Sequence, residues 1–318
     1  MVKIGDIELN SPFILPAIAG FSDIGLRVLS YRYGAGLCVG EMVSAKGLVY
    51  GSENTEAILK TDSREPIKAV QLFGSEPEFI EKAVKHPALN KFDLIDLNFG
   101  CPVPKIVKNG EGSALMRDPY RLGMVVSTAV KSAGGRPVTA KMRIGFNDNE
   151  INCGRVAKEI EDAGAKAITI HGRTREQFYS GDIHFDAIKS VKDAVSIPVF
   201  GNGNVTDFNK AEEMFSLTNV DGIAVARGAI GRPYIFTELL GQVPVYDITE
   251  LIMEHFALLE SIMPERVAIN CIKKHIAGYT YGLRGGKEIK NRVFVATSRD
   301  ENISVANAFK NLSKSVII

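Results

Sequence analysis

The chain has 318 residues, 45% of them hydrophobic, and a formal charge of +1 at neutral pH. This balance excludes an intrinsically disordered chain and gives no global sign of a polyanion binder. The charge is uneven, however: residues 265–318 carry ten Lys/Arg against four Asp/Glu, net +6, which leaves −5 for residues 1–264. A basic tail on a slightly acidic body is expected where one module meets a polyanion, although a solvated basic helix surface has the same signature. Four cysteines (Cys38, Cys101, Cys153, Cys271) form no CxxC pair, which argues against a disulfide framework or a zinc site. The first ten residues alternate apolar and polar, unlike a signal peptide, and no stretch approaches a membrane span. A cytoplasmic, membrane-free monomer without metal is expected.

The chain opens on a short hairpin over residues 2–9, with Gly5-Asp6 at its turn. A repeating grammar follows, in which an apolar run ends in Gly, Pro, Asn or a charge and a helical pattern comes next. Strands are predicted over 13–18, 37–42, 67–73, 94–98, 137–143, 167–171, 198–201 and 222–226. Helices are predicted over 77–84, 120–133, 151–163, 185–195 and 207–215. Strands alternating with helices imply parallel pairing through right-handed crossovers. Eight such units over roughly 240 residues fit an α/β (β/α)8 TIM barrel. An open doubly wound sheet would carry GxGxxG on its first turn, where Pro16-Ala17-Ile18-Ala19-Gly20 stands instead. Beyond about residue 245 the strand grammar stops, and helical spacing is read over 248–263, 265–281 and 304–315. The division is therefore a barrel domain, 1–245, and a small all-helical domain, 246–318.

Barrels of this kind work at the C-terminal ends of their strands. Those ends carry Pro16 and Ala17, Gln71, Asn98 and Cys101, Lys141 and Arg143, and His171 and Arg173. Strand seven ends in Gly201-Asn202-Gly203-Asn204 and strand eight in Ala226-Arg227-Gly228. A lone cysteine is most often a small buried hydrophobe. Here Asp96-Leu97-Asn98-Phe99-Gly100-Cys101-Pro102 breaks from an apolar run into an irregular turn that would hold Cys101 at the rim. The small residues after strands seven and eight, each leading into a helix, fit a phosphate site to which Arg227 adds a charge. Ordinary βα turns need glycine too, and the two readings are even on these loops alone. With Lys141 and His171 beside them, a phosphorylated cofactor across the mouth is indicated, and flavin mononucleotide (FMN) fits. Gln71 can read its ring edge, Lys141 can stabilise negative charge on the reduced ring, and Ala17, Ala19 and Gly20 allow close approach. His171 has no HExxH partner and no metal cage around it.

At these residues the chain resembles the tRNA-dihydrouridine synthase family, flavoenzymes that reduce uridine in tRNA to 5,6-dihydrouridine. The resemblance is carried by LPAIAGFSD, DLNFGCPVPKIVKNGEGSALMRDP, KMRIGF, ITIHGRTREQFYSG, VFGNGNV, ARGAIGRPYIF and KKHIAGYTYGLRGGKEIKNRV, in that order. Departures from the family pattern are Ile18 for Met, Asn204 for Asp, Ala226 for Gly and Tyr234 for Trp. The resemblance implies flavin contacts from Pro16, Ala17, Ile18, Gln71, Lys141, His171, Asn202, Gly203, Asn204, Ala226 and Arg227. It implies that NADPH or NADH reduces FMN, that hydride passes from the flavin to carbon 6, and that Cys101 gives the proton to carbon 5. Asn98 is then expected to hold the uracil edge, and Arg143, Arg173 and Arg175 to meet substrate. Lys273, Lys274, Arg284, Lys287, Lys290 and Arg292 are expected to bind tRNA, with Tyr279 and Tyr281 interleaved.

Other classes remain open at this point. A flavin barrel acting on a free small molecule needs no basic tail. A phosphosugar isomerase leaves Gln71 and the NxGCP turn idle, and a non-catalytic RNA binder does not account for the polar rim.

Overall fold

Side chains alternate across a strand, and here that period of two separates an oily outer face from an inner face that turns polar toward one end. The computed structural model describes residues 1–52, 55 and 58–309. Its strands are β1 (Phe13–Leu15), β2 (Leu37–Ser44), β3 (Ala69–Phe73), β4 (Leu94–Phe99), β5 (Val138–Arg143), β6 (Ala167–His171), β7 (Val199–Asn202) and β8 (Gly222–Ala224). They pair in parallel in chain order, and β8 pairs β1 to close the barrel. All eight predicted strands are present. β1 is shorter than expected because Pro16 has no N–H to continue the ladder. β2 runs on to Ser44 through a register shift between Val39 and Met42.

The outer faces, including Ile95, Leu97, Ala140, Met142, Ile168 and Ile170, pack against the surrounding helices. Each fully buried Leu, Ile or Met side chain among them stabilises the fold by about 1.5–3 kcal/mol relative to exposure. Among the described residues, the helices that follow the strands are α1 (Ile24–Arg32), α2 (Ala45–Val49), α3 (Pro77–Val84), α4 (Pro104–Lys108), α5 (Pro119–Ser132), α6 (Cys153–Asp162), α7 (Phe185–Ala194), α8 (Phe208–Thr218) and α9 (Ile235–Leu239), of which α4 buries no residue. On the inner face, Ile14, Leu37, Val39, Leu94, Ala167 and Phe200 fill the barrel floor, which Ile4 and Leu9 of the N-terminal hairpin close. The floor is apolar, so the polar chemistry is confined to the opposite end.

Four further helices follow: α10 (Ile248–Glu260), α11 (Glu265–Tyr279), α12 (Gly286–Val295) and α13 (Arg299–Ala308). Their apolar faces share one core with Ile24, Val28 and Leu29 of α1, so the helical unit packs on the barrel. Two expectations are corrected here. α11 stops at Tyr279, because Gly282 and Gly285 take positive φ and turn the chain into α12, which the sequence reading passed over. The last helix starts at Arg299 behind a Ser298–Glu301 capping box. Residues 310–315 of the predicted helix lie outside the described residues. Among the described residues no helix is long and apolar enough to cross a membrane.

Candidate active site

Strand register stacks the inward residues in tiers. Gln71 pairs with Asp96 and Asp96 with Thr139; one tier up, Asn98 pairs with Lys141 and Lys141 with Thr169. Above these, Arg143 pairs with His171 and His171 with Asn202. Inward polar side chains thus begin just above the apolar floor and continue to the rim.

The Cys101 turn is built from this stack. Asn98 Oδ1 accepts from the backbone N–H of Gly100 at 3.1 Å and of Cys101 at 2.9 Å. Asn98 Nδ2 donates to Gln71 Oε1 at 2.7 Å, and Gln71 Nε2 donates to Asp96 Oδ2 at 2.6 Å. Thr139 donates to the other Asp96 oxygen at 2.7 Å. The Cys101 carbonyl accepts from Ser113 Oγ at 2.9 Å, and Arg143 Nε donates to the Gly100 carbonyl at 2.8 Å. A chain of hydrogen bonds therefore holds the thiol at the rim. Cys101 is only 8% exposed, and burial pushes its thiol up, so it is a thiol at neutral pH.

Cations crowd the rest of the mouth. Burial, then the neighbouring Arg143, lowers Lys141 to about 8. Burial together with Lys141, Arg143, Arg173 and Arg227 holds His171 well below its ordinary value, so the imidazole is neutral. Arg173 Nε and Nη2 grip the Ser180 and Gly181 carbonyls and Asn204 Oδ1, while its Nη1 is buried without a partner. Arg175 leaves Nε buried and unpartnered, with its guanidinium against the rings of Phe146 and Phe178. Unsatisfied buried donors amid excess positive charge are the chemistry of an anion site.

The structure places the barrel residues singled out in the sequence toward this end of the barrel, Gln71 in the lowest polar tier with its amide bonded to Asn98 and Asp96, and gives some of them different duties. Arg143 spends Nη1 on the carbonyls of Thr174 and Phe178, tying the loop after β6 to the Cys101 turn. Pro16 is buried, and Ala17 and Ile18 are half-buried on the β1–α1 loop, where Ile18 N–H donates to Ser22 Oγ at 2.9 Å. Asn202 Nδ2 donates to the Ala224 carbonyl at 2.6 Å. Gly203 (φ +148°) and Asn204 (φ +52°) bend the chain after β7, and a Cβ on Gly203 would meet Ile183 Cδ1 at 2.3 Å. Ala226 and Arg227 enter a 3-10 turn (Arg227–Ala229), and the stretch through Gly231 leads into α9, which begins at Ile235.

Three participants escaped the sequence reading. Asp96 and Thr139 stand two residues before Asn98 and Lys141, and period two alone marks them as inward-facing. Glu41 of β2 accepts from the Gly20 N–H, and an acid inside an apolar strand was the available signal. On the helical unit, Arg284, Lys287, Lys290 and Arg292 are exposed on α12 or the loop before it, and Lys273 is half-buried on α11. Lys274 donates to the Gly20 carbonyl at 3.1 Å. Tyr279 is core at 3% exposure and Tyr281 is open at 88%, so only the second can face a ligand.

A family model described as dihydrouridine synthase (Dus) matches residues 14–315. A probable tRNA-dihydrouridine synthase of Rickettsia conorii is 39% identical over 305 residues, spanning 92% of this chain and 91% of that protein. The tRNA-dihydrouridine synthase B of Pseudomonas aeruginosa is 33% identical over 299 residues, spanning 91% and 90%. Among solved structures, the 6-hydroxypseudooxynicotine amine oxidase of Pseudomonas geniculata shares the fold with a TM-score of 0.60 at 13% identity, over 76% of this chain and 48% of that one. Histamine dehydrogenase of Rhizobium sp. 4-9 does so with a TM-score of 0.57 at 14% identity, over 81% and 50%. Likeness at such identity speaks for the barrel alone.

Proposed function

The chain belongs to the dihydrouridine synthase family, and from that premise we propose that it reduces the 5,6 double bond of uracil in tRNA using FMN and NADPH or NADH. The observation that carries the proposal is the Cys101 turn, clamped by Asn98 at the rim of a cationic barrel mouth, where burial pushes the thiol up. The unpartnered Arg173 Nη1 and Arg175 Nε, expected from the sequence to meet substrate, fit an anionic cofactor group instead, and Lys141 fits beside an electron-rich ring. Reduced FMN, when bound, supplies the hydride that adds to carbon 6 of uracil.

The protein's own part is positional and protonic. Cys101 Sγ–H gives its proton to carbon 5, completing the addition of one hydride and one proton. Because burial raises the thiol, the thiolate left behind is a strong enough base to recover a proton from water before the next turnover. Asn98 commits Oδ1 to the Cys101 turn, so its contact to the base is made through Nδ2. Gln71, Lys141, His171, Asn202 and Arg227 line the cofactor side, and neutral His171 offers a hydrogen bond without adding charge. Lys141 gives this a pH signature. An electron-rich ring beside Nζ is held best while Lys141 is protonated, so FMN affinity falls as pH rises through about 8. Flavin dissociation constants measured on both sides of that pH should show the loss in the wild type and none in Lys141→Met.

A flavin barrel acting on a free small molecule is the second reading, and the helical unit disfavours it. In our reading residues 1–245 do the chemistry and 246–318 hold tRNA through α11 and α12. Lys287→Glu with Lys290→Glu should weaken tRNA binding and flatten its salt dependence by about one logarithmic unit of slope per lysine. Flavin reduction by NADPH should be intact. Unaltered affinity and salt slope would take the tRNA contact away from α12.

A further inference from the structure

The carboxylate of Asp23 is shared by two buried histidines of the helical unit, and none of the three has a part in the chemistry above. Asp23 ends the β1–α1 loop that carries Pro16, Ala17 and Ile18. It caps α1, its Oδ1 accepting from Leu26 N–H at 3.0 Å. That oxygen lies 3.0 Å from His255 Nε2 on α10, and Oδ2 lies 2.7 Å from His275 Nε2 on α11. Both imidazoles are fully buried, with ring centroids 4.1 Å apart. Burial opposes ionisation of Asp23, but His275 and His255 overcome it and hold the carboxyl well below the usual range.

Three such donors could in principle take a metal ion, but the far ring nitrogens decide otherwise. Nδ1 of both histidines is buried without a partner. A cation on Nε2 would force the proton onto Nδ1 and leave two buried N–H groups unsatisfied, whereas metal-bound histidines nearly always give that N–H to an acceptor. With Nε2–H donating to ionised Asp23, each Nδ1 is a bare lone pair, the cheaper orphan.

The surrounding backbone is shaped for this contact. A Cβ on Gly25 would stand 2.0 Å from His255 Cδ2 and 2.6 Å from Nε2, so only glycine lets the ring reach Asp23. Phe21 meets His275 edge-on at 5.7 Å, and Lys274 holds the Gly20 carbonyl. A second docking point lies after β8, where a Cβ on Gly231 would be 2.1 Å from the Gly278 carbonyl carbon of α11. Since β8 pairs β1, the helical unit is keyed to the two loops that flank one seam of the mouth. Apolar contact alone would let helices slide, while a carboxylate between two fixed donors sets a direction.

We propose that Asp23, His255 and His275 are positioning residues that set the angle of the helical unit to the barrel mouth, so that a tRNA held on the unit presents its uridine to Cys101. This rests on the tRNA reading above. His255→Leu and His275→Leu remove the donors, whereas His255→Gln and His275→Gln place an N–H near the Nε2 position. At a temperature where every variant is folded, kcat/KM for tRNA should fall about a hundredfold in the leucine variants. It should recover in the glutamine variants, with flavin reduction by NADPH unchanged in all four. Gly25→Ala should mimic His255→Leu without altering a titratable group, and it carries the test if the leucine variants do not fold. Small-angle scattering should show a broadened particle for the leucine variants whatever the substrate proves to be, which separates failure of this proposal from failure of the tRNA reading. A lowered melting temperature with wild-type kcat/KM and scattering, or glutamine variants no better than leucine, would overturn it. So would stoichiometric zinc or manganese in the purified protein that is lost from the leucine variants.

Discussion

Cys101→Ala is expected to form dihydrouridine about 10²–10⁴-fold more slowly than the wild type, the usual weight of a positioned general acid. Flavin reduction by NADPH survives, because the substitution removes no group from the Lys141–His171–Arg173 side of the mouth. The turn itself is also spared. Its hydrogen bonds run through the backbone of Gly100 and Cys101 to Asn98 and Ser113, none of which the thiol makes. The defect therefore lies in proton delivery and not in folding or cofactor retention. Single-turnover mixing of reduced variant with unmodified tRNA checks this, and a wild-type yield at a wild-type rate would remove Cys101 from the proton-donor role.

On the proposed reading, Arg173→Met is expected to lose FMN, its dissociation constant rising about 10²–10³-fold, the equivalent of one or two charge-assisted hydrogen bonds. Two effects add. The unpartnered Nη1 is no longer present for the anionic group, and the Ser180 and Gly181 carbonyls lose the guanidinium that folds their loop over the mouth. Arg173→Lys rescues little, since an ammonium cannot serve two carbonyls, Asn204 and a ligand from one plane. Flavin release followed by fluorescence measures the effect. Stoichiometric flavin retained by Arg173→Met through gel filtration would move the anion site away from β6.

The barrel was legible because its strands are continuous apolar runs cut by Gly, Pro and Asn, and because eight of them alternate with helical patterns. The rim was legible for the same reason, as strand ends can be located without knowing the register. What spacing could not supply was division of labour. Arg143 and Arg173 look alike in the sequence as free cations, but the loop after β6 curls back so that its carbonyls consume most of their donors. Asn98 looked like a pure base reader, whereas its carbonyl organises the Cys101 turn. Helix α12 was hidden by its own charges, since five of its ten residues are polar or charged and only Gly286, Ile289 and Val293 are buried. The Asp23–His255–His275 contact joins positions more than 230 residues apart, and no local pattern announces it.

The central claim is that electrons from a flavin in this mouth reduce uracil in tRNA. Anaerobic mixing of the reduced, purified protein with unmodified tRNA tests it most directly, following flavin absorbance and dihydrouridine in the same sample. One dihydrouridine formed for each flavin reoxidised, and no flavin reoxidation when a free pyrimidine base replaces tRNA, is the predicted result. Flavin reoxidation without dihydrouridine, or a colourless protein that cannot be reconstituted with FMN, would contradict it.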